Sequence, residues 1–512
     1  MSNFMTAMKN EMDNRISITE NGAVGYATTG KKLLDMNFAV ASLRKASEQE
    51  IVNKFMDAYY ENPMLAVKWL FYASDVREGL GERRTFRVIM NYLAEQHTNV
   101  AVAVMKLIPE YSRWDNLITL IESDNAEVVN EALLVIKTQL ALDKMNMRED
   151  KPISLLAKWM PSENASSKDT KRRATIIRNS LAWDERRYRK TLSALRKYLD
   201  VVECKMSAKE WENIDYSTVP SKANIKYSNA FMRNDEERRR AYLESLKKGE
   251  TKINAGVLFP HDVVHKYSRG YWGCKVGSYD EALEQMWKSL KDIGNIENTI
   301  VVADGSGSMT TTVDNNSSVT ALEVANALAV YCGERCSGEF KDKYITFSNR
   351  PQLVDFTKAK SLHDKLEIAL KHSEVANTNI EAVFELILQT AINNHMTQDE
   401  IPQNVLILSD MEFDSCARSN YGGVNATLFD TIANKYAQYG YKLPRLVFWN
   451  LASRTGTIPV KQNSMGVALV SGFSANIMKL VLNGELDPYK ALVKELNSAR
   501  YKAVEEAVST LV

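Results

Sequence analysis

The chain has 512 residues, 45% hydrophobic and 25% charged, ordinary proportions for a globular protein long enough to form two or more cores. No apolar run approaches the roughly 18–20 residues that a membrane-spanning helix needs, and the opening "MSNFMTAMKNEMDNRIS" lacks the apolar centre of a signal peptide. The net charge of +1 hides an asymmetry, because from Glu297 onward acids outnumber bases 24 to 19 while the preceding part is basic.

Residues 1–34 contain "ENGAVGYATTGKK", rich in Gly and Thr without a helical period, and read as an N-terminal arm. Residues 35–295 read as an all-α domain. Its segments include "MNFAVASLRKASEQEIVNKFMDAYYEN", "PMLAVKWLFYASDVREG", with Pro63 suited to a first turn, and "ERRTFRVIMNYLAEQ". Phe86, Ile89, Met90 and Leu93 recur at the spacing of one helical face. Successive helices with little strand signal suggest HEAT-like pairs stacked as a ring or solenoid. The segment 168–197, "KDTKRRATIIRNSLAWDERRYRKTLSALRK", holds 11 basic and 3 acidic residues. On a helix, Lys171, Arg172, Arg173, Arg178, Arg186, Arg187, Arg189, Lys190, Arg196 and Lys197 could form a stripe along a phosphate backbone, with Trp183, Tyr188 and Tyr198 able to stack on bases. The bland alternative is a solvated helix face with its aromatics in the core. Residues 200–275, with scattered aromatics, read as helices and loops closing this domain.

From 296 to 484 strands alternate with helices: "NTIVVAD", "FKDKYITFSN", "PQLVDF", "QNVLILSDMEF", "PRLVFWNLAS" and "GVALVSGFS" are the strands. That alternation predicts an α/β doubly wound, Rossmann-like sheet, whose ligands gather beyond the carboxyl ends of its strands. Residues 485–512 read as a C-terminal helix packing back on the body.

The corner "ADGSGSM" carries the most chemistry. Asp304, Ser306 and Ser308 at alternate positions can converge three hard oxygens, with Gly305 and Gly307 easing the backbone path. Thr378 in "ANTNIE", Asp410 in "ILSDME", and Glu412 or Asp414 just beyond would reach the same rim. Few hard oxygens with room for water suit Mg²⁺ or Mn²⁺. Ser306 stands where an aspartyl phosphatase wants a second carboxylate, and Met309 where a phosphate loop wants Lys. With no nucleophile–base pair or cofactor loop either, a non-enzyme is expected. Five scattered cysteines (Cys204, Cys274, Cys332, Cys336, Cys416) read as buried free thiols in a reducing cytoplasm. His261 and His265, four apart, lack a third metal ligand, and His261 reads as a helix-start feature.

These motifs resemble the metal-ion-dependent adhesion site (MIDAS) of von Willebrand factor A domains, with Asp304, Ser306, Ser308, Thr378 and Asp410 matching in order. The resemblance implies a magnesium site whose open position accepts a carboxylate from a partner protein. A helical region followed by such a domain is similar to the Ro autoantigen architecture, a TROVE-type ring joined to an A domain. More closely, "DVREGLGERRTF", "IPEYSRWDNL", "AKWMPSENAS" and "LFPHDVV" resemble an uncharacterised family of bacteria, phages and plants with this arrangement. What that resemblance implies is a ribonucleoprotein: small structured or single-stranded RNA held on the basic helical domain. The expectation is a cytoplasmic, non-enzymatic RNA-binding scaffold with a metal-dependent protein site. The alternative is a phage or bacterial interaction component that uses the metal site for adhesion without RNA.

Overall fold

The computed structural model describes residues 5, 8, 16–269, 275–347, 350–372, 374, 377–415, 428–460, 467–482 and 485–512. The chain forms two compact units, one of Met1–Leu65 with Ala255–Leu496, the other of Ala66–Asn254 with Asn497–Val512. Packing therefore divides the chain elsewhere than its texture does. The N-terminal arm, together with residues 35–65 and 255–295, which read as helical domain, folds with the α/β unit.

That unit begins with a hairpin, β1 (Ile16–Ile18) antiparallel to β2 (Val24–Tyr26). Its sheet follows as β3 (Thr299–Asp304), β4 (Lys343–Phe347), β5 (Gln352–Asp355), β6 (Asn404–Ser409), β7 (Arg445–Asn450) and β8 (Val467–Ser471). The order is β8-β7-β6-β3-β4-β5, parallel except for the edge strand β5. Every residue of β3 and β8 is buried, as expected of parallel strands covered on both faces. Exposure alternates only at β5, where one face meets solvent. From β3 the chain winds outward through β4 and β5, then returns to place β6 on the other side of β3. The switch point of this topology lies between β3 and β6, and crevices for ligands open there. Helix Ala321–Gly333, buried along its whole length, packs behind β3 and is started by a Thr320–Glu323 capping box.

Helix Lys32–Ala39 also belongs here. Phe38 O accepts from Asn450 Nδ2 at 2.8 Å, and Ala41 N donates to Ser471 Oγ at 3.1 Å, so the segment caps β7 and β8. The stretch 36–62 is not one helix but Lys32–Ala39, a 3₁₀ turn at Ser42–Arg44 and Glu48–Glu61, which restarts where Ser47 Oγ accepts from Glu50 N.

The helical unit contains Arg84–Gln96, Thr98–Met105, Ala126–Arg148, Lys168–Ser180, Glu185–Tyr198, Ser221–Asn234 and Glu236–Lys247 among its helices. Gly79 is required by proximity: a Cβ there would stand 1.9 Å from Tyr72 O. Asp75, nearly fully buried, accepts from Arg77 N and from Arg500 Nε at 2.8 Å, and Arg500 also grips Glu110 at 2.7 Å. The "DVREG" loop is thus tied to the far C-terminal segment. Buried Arg239 sits among the rings of Tyr216, Phe231 and Tyr242, 5.0–5.4 Å from each centroid.

The C-terminus is not a single helix. Pro488–Leu496 joins the α/β unit, the chain breaks after it, and Lys502–Val508 packs on Thr98–Met105 in the helical unit. Buried Lys68 binds Glu505 and Asn497, fixing that return. Among the described residues no helix is long and apolar enough to cross a membrane. Cys332 and Cys336 are buried free thiols. Cys204 is exposed, against expectation, and Cys274 and Cys416 lie outside the described residues.

Candidate functional site

The site grows from the ends of β3 and β6, the two strands flanking the switch point. Ala303 pairs with Leu408, so the next residues, Asp304 and Ser409, emerge side by side. Asp304 Oδ2 accepts from Ser409 Oγ at 2.6 Å and Oδ1 from Ser306 N at 2.9 Å. The chain then turns through Gly307–Thr310. Neither Gly305 nor Gly307 has a positive φ, so conformational freedom is not what the corner asks of them. Gly305 serves by closeness, since an added Cβ would press on Thr346 Oγ1 at 3.1 Å.

Ser306 Oγ and Ser308 Oγ lie 3.0 Å apart, and the Ser308 hydroxyl is near enough to Asp410 to favour its ionised form. Asp304, Ser306, Ser308 and Asp410 therefore meet directly. Thr378, buried in the loop before helix Glu381–Asn393, adjoins them through its neighbours. Its carbonyl accepts from Asp414 N at 3.0 Å, and its hydroxyl accepts from Asn21 Nδ2 at 3.2 Å.

Met411 holds a left-handed φ of 64°, an uncommon conformation for a side chain of this kind. It separates two carboxylates with different tasks. Asp410 faces the rim, while Glu412 turns to the loop after β7, accepting from Arg454 N at 2.7 Å, Thr455 N at 2.8 Å and Glu20 N at 2.9 Å. Glu412 is consumed in holding loops together and is not offered to a cation. Asp414 is half-buried, and burial raises its pKa.

The electrostatics of the rim are those of an unfinished site. Asp304 and Asp410 are 1% and 2% exposed. Burial, aided by the neighbouring Asp410 carboxylate, raises the pKa of Asp304, and burial likewise raises that of Asp410. Among the described residues Arg454 brings positive charge near, its Nη2 standing 3.7 Å from Asp410 Oδ2, beyond hydrogen-bond reach. Two desolvated carboxylates beside three hydroxyls form a donor set that a hard divalent cation fits. The described residues hold no metal-competent group of three or more His, Cys, Asp or Glu. Any cation here would rely on hydroxyl oxygens.

Several rim residues escaped the sequence reading. Ser409 was detectable as the partner of Asp304 once β3 and β6 were neighbours. Glu20, Asn21 and Arg454 were not, because nothing local links a turn near the N-terminus to the loop after β7.

The basic segment is organised otherwise than as one stripe. Ala182, with φ 51°, breaks it into Lys168–Ser180 and Glu185–Tyr198. Arg172 and Arg173 both clamp Glu122, at 2.6 and 2.7 Å, and together hold its carboxyl below the usual range against burial. Arg178 pairs with Glu163 at 2.6 Å. Arg196 donates to the carbonyls of Ala157 and Met160, acting as a structural clasp. Tyr188 is fully buried and donates to Pro161 O at 2.8 Å, so it cannot stack on a base. Tyr198 donates to Lys151 O at 2.9 Å. What stays exposed of that stripe without an ion pair to a described residue is Lys171, Arg186, Arg187, Arg189, Lys190 and Lys197. On the same segment Trp183 has Lys144 at 5.0 Å and Arg187 at 4.8 Å from its ring.

His265, on helix Pro260–Tyr267, bonds Glu323 at 3.0 Å and Ser318 at 3.2 Å, so it supports a helix start instead of a metal.

Residues 298–510 match a family described as "Domain of unknown function (DUF7788)", and residues 19–113 and 181–304 match "Domain of unknown function (DUF2828)". The second match takes in the N-terminal hairpin turn, and the first begins at β3. A protein of Acanthamoeba polyphaga mimivirus, "Uncharacterized protein L728", is 30% identical over 508 residues, covering 92% of this chain and 85% of its own. The chain belongs to the family that includes this mimivirus protein.

Proposed function

We infer that the α/β unit is a von Willebrand A-type module that captures a protein partner through a divalent cation. The observation carrying this reading is the pair of nearly fully buried carboxylates, Asp304 and Asp410, brought with Ser306 and Ser308 to the switch point of a doubly wound sheet. Mg²⁺, or Mn²⁺, would be held by these four residues and Thr378. When bound, such a cation supplies a Lewis-acidic position to which a partner's carboxylate can attach. The protein's own contribution is preorganisation. Ser409 and the Ser306 amide fix Asp304, and the Glu412 amide fixes Asp410 at 3.2 Å. No bond need be made or broken in the partner, so the role is adhesion without turnover. Titrating the full chain with Mn²⁺ under electron paramagnetic resonance tests it. One ion per chain is expected for the native protein and none for Asp304→Ala. Equal binding by both would overturn the site.

A second reading concerns the helical unit, which would correspond to the TROVE-like body of a Ro-type ribonucleoprotein. Its support is the exposed group Lys171, Arg186, Arg189 and Lys190 on the same segment as Trp183, with charge for phosphates and a ring for a base. In this reading the chain is a scaffold joining RNA to a captured protein. Purification without nuclease should yield bound RNA that about 0.5 M salt removes. Absence of such RNA, with no binding to pooled small RNAs at low salt, leaves the adhesion component alone.

A further inference from the structure

The N-terminal hairpin ends in the turn Thr19-Glu20-Asn21-Gly22-Ala23, and that turn is docked on the rim just described. Thr19 Oγ1 donates to Phe413 O at 2.7 Å, and Asn21 Nδ2 donates to Glu412 O at 2.6 Å as well as to Thr378 Oγ1. Ser415 N donates to Asn21 O at 3.2 Å, and Gly22, with φ 91°, bridges Asp414 in antiparallel fashion. Farther back, Tyr26 and Ile458 exchange two backbone hydrogen bonds of 2.8 Å, and Ser17 Oγ meets Thr457 Oγ1 at 2.9 Å. This is a docked peptide in all but covalent connection: a short strand pair anchors it, and its polar tip reaches toward the oxygens.

The tip also carries a carboxylate. Glu20 pairs with Arg454, and the same guanidinium nitrogen stands 3.7 Å from Asp410 Oδ2. One side chain therefore separates Glu20 from a rim carboxylate, while its neighbour Asn21 already touches Thr378. An acidic residue followed by an amide and a glycine is thus presented to the rim from within the chain.

We propose that Thr19–Ala23 is an in-chain occupant of the partner-docking surface, and that an external protein docks by displacing it with an acidic turn of the same kind. The inference rests on the cation-dependent capture proposed above. The displaced turn leaves behind the carbonyls of Glu412 and Phe413 and the Ser415 amide as backbone partners for the incoming segment, and Arg454 as the charge that guides its carboxylate to the cation. The partner's recognition element is therefore a hairpin turn bearing Asp or Glu, not a helix or an isolated side chain.

The test uses the full chain loaded with Mn²⁺ and reads water-proton relaxivity, which reports how openly solvent reaches the ion. Glu20→Ala with Asn21→Ala should raise relaxivity about twofold or more at unchanged Mn²⁺ stoichiometry, because a small hard dication left uncovered keeps its waters. A synthetic peptide of Ile16–Tyr26 added in trans should restore the native value. Gly25→Ala provides a second route, since its Cβ would meet Thr457 Cγ2 at 2.6 Å and Ile458 O at 2.7 Å and wedge the hairpin off without altering any rim side chain. Bound Mn²⁺ with identical relaxivity in native protein and both variants overturns the in-chain occupant while sparing the cation site. Failure of the native chain to bind Mn²⁺ overturns both.

Discussion

The rim of the α/β unit and the basic surface of the helical unit place charge in opposite ways. At the rim two carboxylates are withdrawn from water, Asp304 held by hydrogen bonds of 2.6 and 2.9 Å and Asp410 by one of 3.2 Å, while little positive charge among the described residues comes near. On the helical unit positive charge is abundant, yet Arg172, Arg173, Arg178 and Arg196 are already committed to acids or carbonyls of their own unit. A buried, under-compensated pair costs stability and calls for a ligand. A run of exposed charge costs almost nothing and is consistent with either a ligand or water. Count of charges is therefore a poor guide to a site, and desolvation a better one.

The comparison can be pressed from its strongest contrast to its weakest. Tyr188→Ala should destabilise the helical unit by about 3–5 kcal/mol in urea unfolding, as for other buried aromatics. Tyr188→Phe should leave any RNA affinity untouched; a selective loss of RNA affinity at native stability would return this ring to the binding surface. Asp304→Ala should lower Mn²⁺ affinity by about 100-fold or more, since loss of even an outer partner of a metal ligand costs 10- to 100-fold. Its chemical stability without metal should change little, because removing a desolvated carboxylate offsets the loss of an acceptor for Ser306 N and Ser409 Oγ. Replacing Arg186, Arg189 and Lys190 together by Ala should weaken RNA binding and flatten the slope of log affinity against log salt by about 2, at roughly 0.7 per phosphate contact for a single strand. Arg173→Ala should change the slope little and stability more, as it removes one of the two guanidiniums that hold Glu122.

The smallest effect concerns Glu323. Burial works to raise its pKa, but hydrogen bonds from His265, Ser268 and the Thr320 backbone bring it below the usual carboxylate value. A depressed acid contributes stability above its ordinary range and loses it as pH falls through the depressed value. His265→Ala should therefore cost about 1 kcal/mol at pH 7, with the difference from the native chain shrinking below about pH 4. A gap independent of pH would show that His265 acts by packing alone.

Much of the architecture was readable in advance. Alternating strand and helix patterns after Asn295 gave the doubly wound sheet, and Asp304, Ser306 and Ser308 were legible because a tight turn holds its own side chains together. Asp410 could be placed by its position at a strand end. The basic run misled where Tyr188 and Arg196 were concerned, because residue type does not disclose which side of a helix meets the core. The break at Ala182 was equally hidden, since a positive φ at alanine has no compositional mark.

Local chemistry, then, was written in the chain itself: which segments pair as strands, which turn gathers oxygens, and where charge is dense. These follow from spacing along a few residues, where backbone geometry leaves few choices. Tertiary structure alone decided that the N-terminal turn covers Thr378, that Arg454 stands between Glu20 and Asp410, and that Glu412 serves loops instead of a cation. Those contacts join positions hundreds of residues apart, and only the burial of two faces of one sheet brings them within reach.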